Sequence, residues 1–248
     1  MGTKDKEIVG GYQTVRYLLE RDDIRIHEIW IQVRSQRREG ILEKAHKRGI
    51  PVYFKDKEDF NHSLQGINHQ GVAAVVDAFR YQSLQSILSL TVKKRGTALI
   101  VMADHITDEG NMGAILRACA FFKVDGFIIP ERRSASISGQ VMKRSSGGYL
   151  SVPIAKVSNL KNTALRLKRE GFWIIGTDER AKESIYDFDW RRDVALIVGN
   201  EERGINHSLV KICDELVSIP SKGDISSLNV SVALGIVLSE IHRQRRFN

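Results

Sequence analysis

IPSKGDISSLNVS, residues 219 to 231, sets a Pro-capped strand end, a Gly-containing loop and the polar run Ser226-Ser227-Leu228-Asn229 directly before a long apolar helix, Val230 to Ile241. In an α/β protein, a loop of that chemistry at the C-terminal end of a strand is where a site is built. Ser227 and Asn229 are also good helix N-caps, so this segment alone fits a capping device equally well. Two further segments repeat the arrangement: NMGAILR at Asn111 to Arg117 and VGNEERG at Val198 to Gly204 each place polar residues and glycines just after an apolar run. Three such loops in one half of the chain point to one composite site.

Around these loops, apolar runs recur from Thr97 onward as TALIVMA, DGFIIP, VPIAKV, FWIIGT, VALIVG and LVSIP, separated by segments able to form helices. Nearly continuous apolar strands alternating with helices predict an α/β fold with a mostly parallel sheet covered on both faces. The three loops then leave its C-terminal edge, after Met102, Ile197 and Ile219. Ahead of this lies a smaller α/β layer structure: a helix near Tyr12 to Glu20, a strand at His27 to Gln32, a charged helix near Arg37 to Arg48, and strands at Val52 to Phe54 and Gly71 to Asp77. Residues 78–96 lose the strong pattern and end in Lys93-Lys94-Arg95-Gly96, so the domains are expected at 1–77 and 97–248 with a linker at 78–96. A solvated connector and a phosphate-facing basic stretch both fit that linker.

The 248 residues are 42% hydrophobic and 27% charged, which suits two modest cores and excludes wholesale disorder. The formal charge of +8 favours a polyanionic partner such as a nucleic acid, though many basic proteins have none. No run of 18 apolar residues occurs and MGTKDKEIVGG lacks a signal-peptide core, so the default expectation is the cytoplasm. Cys119 and Cys213 are far apart, with no CxxC or Cys/His cluster, so no metal site is expected. Cys119 falls on the apolar stripe Ile115, Ala118, Cys119, Phe122 and reads as a core thiol. There is no GxGxxG after a strand and no Walker sequence, which argues against dinucleotide enzymes and nucleotide hydrolases. Ser146-Gly147-Gly148 reads as a helix break, with a turn at a dimer contact as its alternative.

The three segments, in this order, resemble the three motifs of the SpoU (TrmH-like) branch of the SPOUT RNA 2′-O-methyltransferases. The resemblance covers residues 97–248 and is most specific in SSLNVS with Gly223 four residues before Ser227. Motif two fits at Gly199-Asn200-Glu201 with Gly204, and motif one at Asn111, Gly113, Ala114 and Arg117. Two positions depart: Glu109 stands where the family usually has Pro, and Ser221 where it usually has Met. The first domain is similar to the small L30e-like substrate-binding domain of the bacterial 23S ribosomal RNA guanosine subgroup. This resemblance implies S-adenosylmethionine as cofactor, a deep trefoil knot in the last part of the sheet, a homodimer through the C-terminal domain and RNA, most specifically 23S ribosomal RNA, as partner. The alternatives are a transfer RNA 2′-O-methyltransferase and a non-catalytic RNA-binding assembly factor.

The catalytic set implied by the resemblance is Asn111, Arg117, Glu201, Ser227 and Asn229. Backbone groups of Gly199, Ile219 and Leu228 are implied around the cofactor, and Thr177, at the end of FWIIGT, is a further candidate. Methyl transfer to a ribose oxygen needs cofactor and hydroxyl held nearly collinear and the hydroxyl proton removed. If the motif-one helix starts near Met112, Arg117 lies about 200° around from Ile115 at roughly 100° per residue, away from the core stripe. Its side chain then leans back toward the loop carrying Asn111. A solvated surface arginine has the same local pattern. The resemblance implies that Arg117 helps deprotonate the hydroxyl, but an arginine pKa above about 12 suits an orienting donor or a partner to a substrate phosphate better. Asn111 offers amide groups to ribose or phosphate and otherwise caps the helix, while Glu201 either accepts from ribose, fixes Arg117, or is a charge at the start of a helix near Ile205 to Ile212.

Overall fold

The computed structural model describes residues 6–22, 24–33, 39–64, 69–92, 96–200, 203–224 and 227–246, which form two compact units. In the first, β1 (Lys6–Gly10), α1 (Tyr12–Leu19), β2 (Ile26–Gln32), α2 (Glu39–Lys47), β3 (Val52–Lys55), α3 (Lys57–Ser63) and β4 (Val72–Asp77) build a four-stranded sheet of order β1-β4-β2-β3. Only β2 and β3 run parallel; β4 is antiparallel to both its neighbours. The period-two pattern of IHEIWIQ drives the packing. Ile29 and Ile31 are fully buried, as are Val15 and Leu18 of α1 and Ala45 of α2. Trp30, on the opposite face, meets Phe60 of α3 edge-on at 6.4 Å. Sequence reading missed β1, whose KEIVG carries too little alternation to stand out, and α3, which starts at an N-cap aspartate, Asp56.

Residues 84–92, expected to lack a pattern, form helix α4 (Leu84–Val92), and Ile87 and Leu88 enter the core of the second unit. There follow β5 (Leu99–Ala103), α5 (Glu109–Phe121) and β6 (Gly126–Pro130). The chain then supplies Ser136–Gly147, with α6 (Gly139–Arg144), to the first unit, a return that no sequence pattern announced. The remainder is α7 (Gly148–Ser151), β7 (Ile154–Val157), α8 (Leu160–Arg169), β8 (Trp173–Thr177), β9 (Glu183–Ser184), β10 (Val194–Val198), α9 (His207–Val210), β11 (Glu215–Ser218) and α10 (Val230–Arg246). The expected break at Ser146-Gly147-Gly148 lies between α6 and α7, with Ser146 and Gly147 both at positive φ.

The sheet of the second unit has the order β7-β6-β5-β10-β8-β11-β9, and every pairing in it is parallel, as the apolar runs predict. Ile100, Met102, Ala195 and Ile197 pack with α4, α8 and α9 on one face. Their alternates Leu99, Val101, Ala103, Val194 and Leu196 are equally buried, so both faces are covered. Strand β10 is inserted between β5 and β8, both laid down earlier in the chain. This brings the C-terminal ends of β5, β10, β8 and β11 side by side. Cys119 is fully buried, and burial pushes its thiol pKa far up; at Cys213, burial and then Asp214 push it up to about 11. Among the described residues there is no metal-binding group of His, Cys, Asp or Glu, and no helix is long and apolar enough to cross a membrane.

Helix α10 is tied down at its far end by Arg245, whose guanidinium donates to the carbonyls of Trp190 (3.0 Å), Thr97 (3.3 Å), Ala98 (3.3 Å) and Arg192 (2.7 Å). These carbonyls lie at the starts of β5 and β10, so α10 runs from the C-terminal to the N-terminal edge of the sheet. Lysine cannot reproduce the five-donor fork. Arg245→Lys is therefore expected to strand two or three of the carbonyls, destabilise by about 2–3 kcal/mol and lower the melting temperature by about 5–10 °C. Calorimetry checks this, and an unshifted transition contradicts it.

Candidate active site

The site is assembled from strand ends. Asp108 caps α5 by accepting the backbone N–H of Asn111 at 2.7 Å, so the helix begins at Glu109, earlier than the expected start near Met112. Asn111 is consequently in the first turn and is not the cap. At the other end of the chain, Asn229 caps α10: its Oδ1 accepts from the backbone N–H of Ser231 at 3.0 Å and from Ser231 Oγ at 2.6 Å. Its Nδ2 donates to Asn111 Oδ1 at 2.9 Å, joining residues 118 positions apart. The capping reading of Asn229 therefore holds, and its amide nitrogen faces motif one. Phe122, past the end of α5, also lies 6.0 Å from the His242 ring of α10, so the two helices run side by side in the same direction. Both N-terminal turns, each with the partial positive charge of unsatisfied N–H groups, converge at the Asn111–Asn229 pair.

Arg117 is exposed on α5, six residues and about 9 Å of helix rise beyond Asn111, and among the described residues it makes no hydrogen bond or ion pair. Its neighbours Ile115, Leu116 and Cys119 are fully buried, as the spacing predicts. Gly148 of α7 presses on the α5 backbone here: a Cβ there would lie 2.7 Å from the Leu116 carbonyl oxygen and 3.0 Å from Arg117 Cα.

The motif-two segment is a closed loop. Asn200 and Gly204 exchange backbone bonds, Asn200 N–H to Gly204 O at 3.2 Å and Gly204 N–H to Asn200 O at 2.8 Å. Gly199 sits directly beneath, and a Cβ on it would be 2.2 to 2.4 Å from Gly204 C and O and Ile205 N. Asp104, missed by sequence reading, locks this loop to the first. Only 2% exposed at the end of β5, it holds His105 Nδ1 at 2.5 Å with one carboxylate oxygen and accepts the Asn206 backbone N–H at 2.8 Å with the other. His105, at φ 59°, accepts from Asn200 Nδ2 through its carbonyl at 3.3 Å. A carboxylate ending a wholly apolar strand was the available signal, since a buried charge must be paired.

The strand ends of β10, β8 and β11 carry the remaining candidates. Thr177 closes β8 and donates to the Ile197 carbonyl at 3.3 Å. Ile219 is partly buried just after β11, and Ser227 and Leu228 are exposed ahead of α10, Leu228 at 47%. Glu201 lies outside the described residues, as does Ser226.

Comparison with known proteins gives this arrangement a family. The model described as "SpoU rRNA Methylase family" matches residues 98–239, well over half of the chain. The chain belongs to the SpoU rRNA methylase family. A second model, "RNA 2'-O ribose methyltransferase substrate binding", matches residues 8–82. Among curated relatives of this SpoU protein, the 23S rRNA (guanosine-2'-O-)-methyltransferase RlmB of Neisseria meningitidis serogroup B is 37% identical over 238 residues, covering 95% of this chain and 94% of its own. RlmB of Xanthomonas campestris is 34% identical over 245 residues, 98% of each chain. The solved SpoU methyltransferase AviRb of Streptomyces viridochromogenes, in complex with AdoMet, superposes with TM-score 0.79 at 24% identity, covering 98% of this chain and 92% of that one. It shares the fold.

The two departures from the SpoU motifs have local explanations. Glu109 is the first residue of α5, a position where proline is favoured because its missing N–H is an orphan anyway and where a carboxylate suits the helix dipole. Ser221 accepts the Gly223 N–H at 3.3 Å, holding the motif-three loop by a local turn.

Proposed function

We propose that this SpoU protein transfers a methyl group from S-adenosylmethionine to the 2′-hydroxyl of a guanosine ribose in the peptidyl-transferase region of 23S ribosomal RNA. The observation that carries the reading is the 2.9 Å bond between Asn229 and Asn111, which puts the first and third motifs at one point on the sheet edge. Bound S-adenosylmethionine supplies an electrophilic methyl on a sulfonium. The ends of β10, β8 and β11 suit it, because Gly199 leaves no room for a side chain and keeps the loop backbone at hand, with Thr177, Ile219 and Leu228 on the neighbouring strands.

Asn111 and Asn229 orient the ribose through their amide groups, and the two convergent helix N-termini favour the adjacent phosphate. Ser227 and Glu201 complete the set on the strength of the motif pattern. Arg117 holds the ribose oxygen or a flanking phosphate as a fixed donor, and the hydroxyl proton leaves to water, since a guanidinium that keeps its own proton cannot take it. Residues up to Asp77 select the RNA, while those from Thr97 bind cofactor and carry the reaction. The relatives named for 23S ribosomal RNA match along nearly the whole chain, first unit included, which favours the ribosomal substrate over transfer RNA.

A deep knot in the last strands and a homodimer through α10 belong to the same proposal. Leu234, Val237, Leu238 and Ile241 of that helix face the core, yet Val232 is half exposed beside exposed Tyr186, and Phe121 is 79% exposed at the end of α5. Light scattering at low micromolar concentration is expected to give about twice the 28.0 kDa chain mass. A monomer that still methylates RNA contradicts the dimer. The function itself is tested by mapping ribose methylation in ribosomal and transfer RNA from cells with and without the chain. One guanosine of 23S RNA losing its methyl group is expected; loss in transfer RNA assigns that substrate instead, and no loss anywhere assigns a non-catalytic role.

A further inference from the structure

We infer that Arg132 and Arg133, in the loop after β6, form a phosphate grip for the RNA strand entering the site, a reading that rests on RNA being the substrate. Strand β6 lies next to β5 and parallel to it, so residues 131–135 leave the same C-terminal edge as the motif-one loop. The loop is anchored at both ends: Glu131 N–H donates to Val157 O at 2.8 Å, and Ala135 N–H to Ile106 O at 2.8 Å. Ile106 lies between His105 and the α5 cap Asp108, so the anchor is in the loop that leads into motif one.

Between these anchors Arg133 takes φ 58°, a left-handed conformation that a residue with a Cβ holds only where its surroundings impose it. Both arginines are exposed, and among the described residues neither has a hydrogen bond or an ion pair. The contrast along the sheet edge is informative. On the β8 side, Arg180 is occupied by Asp178 through two bonds of 3.1 and 3.0 Å, whereas among the described residues no carboxylate holds Arg117, Arg132 or Arg133 on the β5–β6 side. The one acidic neighbour in the loop, Glu131, is outnumbered. Exposed guanidinium forks on an anchored loop backbone match the oxygens of backbone phosphates.

The test uses the full-length chain and the double variant Arg132→Ala, Arg133→Gly, glycine being chosen because it takes the left-handed backbone without strain. The probe is an unmodified transcript of the peptidyl-transferase region of 23S RNA, in filter binding over a range of salt. The variant is expected to bind about tenfold or more weakly, with the slope of log K against log salt shallower by about 1.4, roughly 0.7 for each lost single-strand phosphate contact. Calorimetric affinity for S-adenosylmethionine and the melting temperature stay at the wild-type values. Unchanged RNA affinity and salt slope, while the wild type methylates the transcript, overturn this inference alone. Loss of cofactor affinity in the variant overturns it too, because the loop then serves the cofactor side. A wild type that neither binds nor methylates the transcript overturns the underlying function along with it.

Discussion

Arg117→Ala is expected to cut methyl transfer about a hundredfold or more, the scale of a lost preorganised hydrogen-bond donor at the reacting group, while the melting temperature stays within a few degrees. The separation follows from position. The packing face of α5 is made by Ile115, Leu116 and Cys119, all fully buried, and Gly148 approaches the backbone behind Arg117 closely; the arginine itself is exposed and has no partner among the described residues. Removing it leaves neither a cavity nor an orphaned buried partner, so folding loses little. Affinity for S-adenosylmethionine is expected to stay near normal, because Thr177, Gly199 and Ile219 lie at other strand ends. Arg117→Lys keeps the charge without the planar fork and is expected to recover only part of the rate. A tritium-transfer assay on the unmodified transcript reads both variants. Full activity in Arg117→Ala removes the residue from the mechanism.

Gly199→Ala is expected to act on the cofactor first. The added Cβ would approach the Gly204 carbonyl carbon and oxygen and the Ile205 nitrogen at 2.2 to 2.4 Å, all backbone atoms that cannot turn aside. The loop closed by the Asn200–Gly204 bonds must shift bodily, and Asn206, anchored on Asp104, resists. Misplacing a binding loop by on the order of 1 Å costs about a hundredfold in activity. Overpacking of this kind destabilises by about 1–3 kcal/mol, or a few degrees in melting temperature. Calorimetric binding of S-adenosylmethionine is expected to weaken in step with the loss of activity. Normal cofactor affinity in a folded Gly199→Ala protein places the cofactor elsewhere.

Much of the second unit was legible because burial on both faces writes a strand as an unbroken apolar run. TALIVMA, DGFIIP and VALIVG needed no alignment to be read as parallel strands, and β5, β6 and β10 are those runs. The polar residues immediately after them were legible as a candidate site for the same reason: in a sheet covered on both faces, only the strand ends meet solvent. The first unit was harder. Its short β1 is an edge strand with mixed burial, so its alternation is weak, and α6 reaches the unit from more than fifty residues downstream.

By itself, the sequence determined the α/β class, the parallel sheet, the three polar loops at strand ends and the outward placement of Arg117, since each depends on residue type and spacing within a few turns of chain. Only the tertiary structure decided which loops meet. The strand order β5-β10-β8-β11 is set by long-range pairing that leaves no local signature, and through it Asn229 reaches Asn111 and Asp104 reaches Asn206. The same holds for the Arg245 clamp and the Gly199 cradle, whose partners are backbone atoms. Every residue offers a carbonyl and nearly every residue an N–H, so side-chain identity says nothing about which of them a fold will bring within reach.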